Sequence, residues 1–136
     1  MDRNVGLWID HRQAYVISDQ DGIVEVIPSH LEPPAHYSGG TQLGGKFNQK
    51  GDTQYRKSDR FRLQLKKYYR QVISALKDAN SIVIMGPGEA KIEFEKAIRK
   101  YKSMKSRVLK VETTDKMTKN QMVAYVRKFY QNQAVS

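Results

Sequence analysis

The sequence predicts an α/β fold: a mixed five-stranded sheet flanked by helices, with elements in the order βββαβαβα. Three observations carry this expectation. The first thirty residues hold three short apolar runs divided by tight-turn sequences. Two later strand-like runs, Ser81–Met85 and Arg107–Val111, each stand between stretches of helical periodicity. Strands joined by tight turns pair antiparallel, whereas strands joined through a helix pair parallel, so the sheet must contain both.

Val5–Asp10 and Ala14–Ser18 read as the first two strands, with Asp10-His11-Arg12-Gln13 as their turn. Asp19-Gln20-Asp21-Gly22 makes a second turn, because aspartate and glycine accept the required dihedrals. Ile23–Ile27 is a third strand, and Pro28 ends it. Residues 28–57 then hold three prolines and seven glycines or serines with little apolar periodicity, which predicts a long mobile loop. Ser58 caps the first expected helix, which runs to about Ala79 and carries Phe61, Leu65, Tyr68, Val72 and Leu76 on one stripe. Asn80 is its expected stop.

Ser81–Met85 is uninterruptedly apolar after its serine, as suits a parallel strand buried on both faces. Gly86-Pro87-Gly88 turns into a second helix, about Glu89–Tyr101, expected to bury Phe94, Ala97, Ile98 and Tyr101. After the fifth strand, Thr118 and Gln121 form a capping box. The helix it opens offers Met122, Val123, Val126, Phe129 and Tyr130 to the core. No repeat or composition break divides the chain, so residues 1–136 are expected to be a single domain.

Charge is the other strong signal. Lysine and arginine number 24 against 14 acids, for a net charge of +10 and an isoelectric point near 9.8. The excess is local. From Lys46 to Arg70 the cations are Lys46, Lys50, Arg56, Lys57, Arg60, Arg62, Lys66, Lys67 and Arg70, against Asp52 and Asp59 alone. That segment carries +7 of the total. Clustered cations suit a polyanion, because neutralising phosphates releases condensed counterions. The chain has no cysteine, which excludes disulfides, thiolate zinc sites and cysteine nucleophiles and suits a reducing cytoplasm. No 18-residue apolar run exists, so no membrane span is expected, and the N-terminal stretch broken by Asp10, His11 and Arg12 is not read as a signal peptide.

Ahead of the basic segment stands Tyr37-Ser38-Gly39-Gly40-Thr41-Gln42-Leu43-Gly44-Gly45. Paired glycines let a backbone approach a ligand, and Tyr37, Phe47 and Tyr55 lie among the cations as stacking candidates. Gly86-Pro87-Gly88-Glu89-Ala90-Lys91 invites comparison with phosphate loops, yet Lys91 stands where a third glycine would be needed, and a plain strand-to-helix turn is expected. Asp10, Glu89 and Asp115 each fall near a strand end, where clustered carboxylates could hold two metal ions for nuclease chemistry. Their local sequences fit a turn and two helix starts instead. His11, His30 and His36 lack metal-ligand spacing. No metal and no cofactor is expected.

The element order is the ribonuclease-H-like arrangement. Within it, the chain resembles the middle domain of archaeal and eukaryotic class-1 peptide-chain release factors and of their relative Pelota, in the form carried by small bacterial "translational machinery" proteins. The resemblance runs from about Val5 to Tyr130. It rests on Gly6-Leu7-Trp8-Ile9-Asp10 with Ala14-Tyr15-Val16-Ile17, on Ser38-Gly39-Gly40-Thr41-Gln42, on the basic helix with Arg60-Phe61-Arg62, and on Ile82-Val83-Ile84-Met85-Gly86-Pro87-Gly88-Glu89-Ala90-Lys91. The release factors use a Gly-Gly-Gln tip to promote peptidyl-tRNA hydrolysis. Here Thr41 occupies the glutamine position and Gln42 comes one residue late. Pelota-type members lack that tip and still engage ribosomes. The resemblance therefore implies a translation-related protein that binds ribosomal RNA, tRNA or the ribosome, without catalysis.

The expected contacts are Gly39, Gly40 and Gln42 at the tip, and the nine cations from Lys46 to Arg70 against phosphates. Two alternatives stay open. One is a hydrolase, acting on peptidyl-tRNA through Gln42 or on nucleic acid through Asp10, Glu89 and Asp115. The other is an interaction module for an acidic protein partner.

Overall fold

In the computed structural model, residues 3–31 and 47–135 are described, with side chains over 3–31 and 59–133. The elements are β1 (Asn4–Ile9), β2 (Gln13–Ser18), β3 (Val24–Pro28), α1 (Phe47–Leu76), β4 (Ser81–Gly86), α2 (Ala90–Arg99), α3 (Lys102–Lys105), β5 (Val108–Thr113) and α4 (Lys119–Val135). The five strands form one sheet in the order β3-β2-β1-β4-β5. β1–β2 and β2–β3 pair antiparallel, while β1–β4 and β4–β5 pair parallel. This is the mixed α/β sheet the sequence predicts, in the ribonuclease-H-like order, with the four-residue α3 added.

Beyond their first residues, Asn4 and Ser81, the central strands are apolar because both of their faces are covered. Val5, Leu7 and Ile9 of β1 and Ile82 and Ile84 of β4 share a core with Tyr68, Tyr69, Val72, Ile73 and Leu76 of α1 and with Phe94 and Ile98 of α2. Trp8, Val83 and Met85 face the other way, against Met122, Val126 and Tyr130 of α4. The alternation follows from the period of two along a strand. Burying each such large side chain contributes about 1.5–3 kcal/mol relative to leaving it in water.

Two glycines make this packing possible. A Cβ on Gly6 would run into Val126 Cγ2, so α4 settles against β1 only where a side chain is missing. Gly86 has φ +149, and a Cβ there would collide with the backbone carbonyl of Ile9 on the neighbouring strand. A backbone oxygen paired into a sheet has no room to retreat.

Local signals are satisfied as expected at several points. Asp10 Oδ1 accepts the backbone N–H groups of Arg12 at 2.8 Å and Gln13 at 2.9 Å, which sets the β1–β2 turn. Gly22 sits at φ +70 in the second turn. The Thr118–Gln121 capping box is reciprocal: Thr118 N donates to Gln121 Oε1 at 2.9 Å, and Gln121 N to Thr118 Oγ1 at 3.1 Å. Other expectations need correction. α1 begins at Phe47, eleven residues before Ser58, so Ser58 caps nothing and the expected loop is shorter at this end. Gly51 and the lack of an apolar stripe over 47–58 conceal that extension. Asn80 is not a helix stop; its side chain accepts the N–H of Arg3 at 2.6 Å and ties the approach to β4 to the start of β1. β5 carries a bulge, since Ile82 pairs Val108 but Val83 pairs Lys110, leaving Leu109 over.

The close approach at Gly86 yields a test. Gly86→Ala is expected to lower stability by about 3 kcal/mol, the upper part of the range for overpacking. Gly88→Ala, at φ +66 with nothing within 4 Å of its Cβ position, costs only the left-handed backbone penalty of about 1–2 kcal/mol. Urea unfolding of the two variants checks the order; equal midpoints would contradict the packing described.

Candidate nucleic-acid interface

The geometry of α1 decides where its charge goes. Tyr68, Tyr69, Val72, Ile73 and Leu76 are buried against the sheet. With 3.6 residues per turn, Arg60, Lys67 and Arg70 turn away from that stripe, while Arg62 and Lys66, seven residues before Tyr69 and Ile73 respectively, lie along its edge. All five are exposed. Arg62, Lys66 and Arg70 recur every fourth residue, and Arg60 and Lys67 lie further round. Among the described residues none of the five is in an ion pair; the pairs that exist are His11–Glu93, Arg99–Glu95 and Lys110–Glu112. Lys50, Arg56 and Lys57 belong to the same helix, with their side chains outside the described residues. Gly39, Gly40, Gln42 and Lys46 lie wholly outside them, as do Tyr37, Thr41 and His36.

Beside the Lys66–Arg70 edge runs a groove of about 200 Å³ between α1 and the end of α2. Lys66 and Arg70 form one bank, Lys100 and Tyr101 the other, and Tyr69, Ile73 and Ala97 the floor. Tyr101 corrects an expectation. Its spacing puts it on the buried stripe of the second helix, but α2 ends at Arg99. Tyr101 instead adopts extended dihedrals at the start of α3 and is 44 % exposed. Lys100 and Tyr101 are not among the contacts the sequence predicts. The signal that could have found them is the run Arg99-Lys100-Tyr101-Lys102, an aromatic set among cations.

A polar cluster fixes α1 and α2 relative to the sheet. Tyr68 Oη donates to the Asp10 carbonyl at 3.0 Å. Tyr69 Oη donates to Glu93 Oε1 at 2.7 Å, and His11 Nε2 lies 2.9 Å from the same oxygen. Tyr69 also stands edge-on to Phe94, ring centres 5.7 Å apart. One carboxylate thus joins the β1–β2 turn, α1 and α2. His11 is part of this joint rather than a bare turn residue. Burial pushes the Tyr68 phenol far above its ordinary range, and the Asp10 charge adds to this. Burial also raises Tyr69, followed by its bond to Glu93.

Of the remaining candidates, Asp10 and Asp115 take part in structural hydrogen bonds, Asp115 through its backbone alone. Asp10 is held by its turn. Glu89 stands at the N-terminus of α2 and makes no side-chain cap. Asp115 offers its carbonyl to Trp8 Nε1 at 3.3 Å. Among the described residues no group of three or more His, Asp or Glu side chains could hold a metal ion. Lys91 is buried, and its ammonium donates to the Gly88 carbonyl at 2.5 Å. That bond closes the Gly86–Gly88 turn and offsets a cation set near a helix N-terminus, where the dipole disfavours it. No described helix is long and apolar enough to cross a membrane.

No family model matches the chain, and no curated protein does. Among solved structures it is similar to the archaeal translation termination factor aRF1, at 13 % identity and a TM-score of 0.46. The match covers 98 % of this chain, which spans 40 % of that protein's.

The tyrosine cluster fixes a pH dependence. An ordinary phenol titrates near pH 10, so it ionises in the unfolded chain while its buried counterpart stays protonated. The folded value being the higher, stability is complete below about pH 10 and falls above it, by about 1.4 kcal/mol per pH unit for each such group. Urea unfolding between about pH 9 and about pH 11 is expected to show that fall. Tyr69→Phe should remove one group's share of the slope, and a slope unaltered by the substitution would refute the assignment.

Proposed function

We propose that the chain is a translation-related RNA-binding protein that docks on ribosomal RNA, tRNA or the ribosome through the exposed cations of α1, without catalysis, in the cytoplasm. The observation that carries this reading is the exposed set Arg60, Arg62, Lys66, Lys67 and Arg70 on one helix, with no ion-pair partner among the described residues. Cations held by acids add little to a polyanion's binding, whereas free ones exchange directly for its counterions. Lys46, Lys50, Arg56 and Lys57 extend the same charge along the chain, and Gly39, Gly40 and Gln42 would supply a tip that approaches RNA backbone closely. The translational setting is supported by the motif resemblance to the release-factor and Pelota middle domain, taken over residues 1–136 as one domain.

No catalytic role is given to Gln42, which stands one residue late for the release-factor tip. None is given to Asp10, Glu89 or Asp115 either: Asp10 holds a turn, Glu89 stands at the start of α2, and Asp115, expected at a helix start, lies four residues before α4 with its carbonyl bound to Trp8.

Binding of labelled single-stranded RNA should weaken steeply with salt, with log–log slope of about −0.7 for each phosphate neutralised. Replacing Arg60, Arg62 and Lys66 together by glutamate is expected to flatten the slope by about 2 and to release the chain from salt-washed ribosomes in co-sedimentation. Unchanged affinity and slope would remove α1 as the interface. A triple variant that keeps RNA binding but loses an acidic polypeptide would favour the protein-partner reading.

A further inference from the structure

The groove between α1 and α2 has features that a merely solvated basic surface does not need. Its volume of about 200 Å³ falls below the roughly 300–1,000 Å³ of pockets that enclose whole small molecules. Among the described residues no carboxylate lines it. Lys66 and Arg70 on one bank and Lys100 on the other have no ion-pair partner among the described residues. Between the banks, Ile73 and Ala97 give an apolar floor, and Tyr101 stands 44 % exposed beside it. Tyr69 turns its hydroxyl away to Glu93, so it offers this groove only its ring.

A large half-exposed aromatic ring flanked by three unpaired cations suits a ligand with a flat apolar face between two anionic groups. A nucleotide within a strand has that form: a base between two phosphates. Base–aromatic stacking needs an unstacked base, which a duplex does not present along its length. An acidic peptide would engage the cations but has no use for the ring.

We propose that this groove is a single-stranded RNA subsite, in which one base lies on Tyr101 while Lys66, Arg70 and Lys100 take the flanking phosphates. The proposal rests on the RNA-binding reading of α1 and adds where a base is held and that the strand there is unpaired. Its recognition is sequence-tolerant, because every base has a face to stack.

The test uses the full chain with three probes: a fluorescein-labelled oligouridylate, an RNA duplex of equal charge, and polyglutamate. Tyr101→Ala is expected to weaken oligouridylate binding roughly five- to a hundred-fold, the range one stacked base is worth. Tyr101→Phe, which keeps the ring, should restore it. Lys100→Gln should lower the salt slope by about 0.7, as one phosphate contact on a single strand does. Duplex binding should be weaker and indifferent to Tyr101→Ala. Circular dichroism establishes that each variant is folded, and Lys100→Gln gives a second readout that leaves the ring in place.

If Tyr101→Ala and Lys100→Gln bind oligouridylate like the parent while Arg60→Glu with Lys67→Glu still flattens the slope, the groove is not a subsite and the reading of α1 stands. If the parent chain binds no RNA, or binds it without salt dependence, both fail. If polyglutamate displaces the oligouridylate at equal charge and is itself lost on Tyr101→Ala, the groove belongs to an acidic polypeptide and the proposal is overturned.

Discussion

The double burial of β1 and β4 governs the rest of the molecule. Both strands lie inside the sheet and are paired on each side, and both present apolar side chains to each face. Neither face can be left to water, so helices must cover both. α1 and α2 take one face and α4 the other. Once α1 is committed to the sheet through Tyr68, Val72 and Leu76, its cations among the described side chains are left to the edge of that stripe and the arc beyond it. Charge presentation is therefore a by-product of core formation. A helix with the same cations and no such stripe would present them in every direction and hold none of them at a fixed spacing.

The disposition of acids reinforces this. Glu93 is occupied by Tyr69 and His11, Glu95 by Arg99, and Glu112 by Lys110 and the Tyr125 hydroxyl. Asp10 uses its side chain on the first turn. These acids serve joints and turns, and they sit away from α1's outer surface. Net charge alone would not have produced a predominantly positive patch. It arises because several acids have structural partners elsewhere and Asp59 is the one acid among the described side chains of α1, while Arg60, Arg62, Lys66, Lys67 and Arg70 have no ion-pair partner among the described residues.

Much of the fold is legible in the sequence, and for definite reasons. Tight turns at Asp10–Gln13 and Asp19–Gly22 use side-chain and glycine chemistry that acts within a few residues, so local sequence suffices to see them. The run Ile82–Met85 is apolar at every position because both faces are covered, which marks an interior parallel strand. The start of α1 escapes notice because residues 47–58 lack an apolar stripe, and periodicity is the only helix signal a single sequence offers there. Tyr101 misleads for the opposite reason: it continues the stripe of α2 in sequence after the helix has ended at Arg99. Its neighbourhood with Lys66 and Arg70 depends on how two helices lie side by side on the sheet, and no local pattern encodes that. Glu93 is likewise invisible as a joint, since its partners His11 and Tyr69 are distant in the chain.

The bulge at Leu109 has a meaning for life at high concentration. β5 is an outermost strand, and a regular outermost strand offers a row of unpaired amides and carbonyls on which another copy could grow. Here the ladder loses its rhythm between Val108 and Lys110, and Lys110 and Glu112 place charges along the rest of the strand. An incoming strand would meet a twisted, mismatched and charged template instead of a flat one. Leu109 can thus stay in contact with solvent without offering a flat ladder for fibrous self-association.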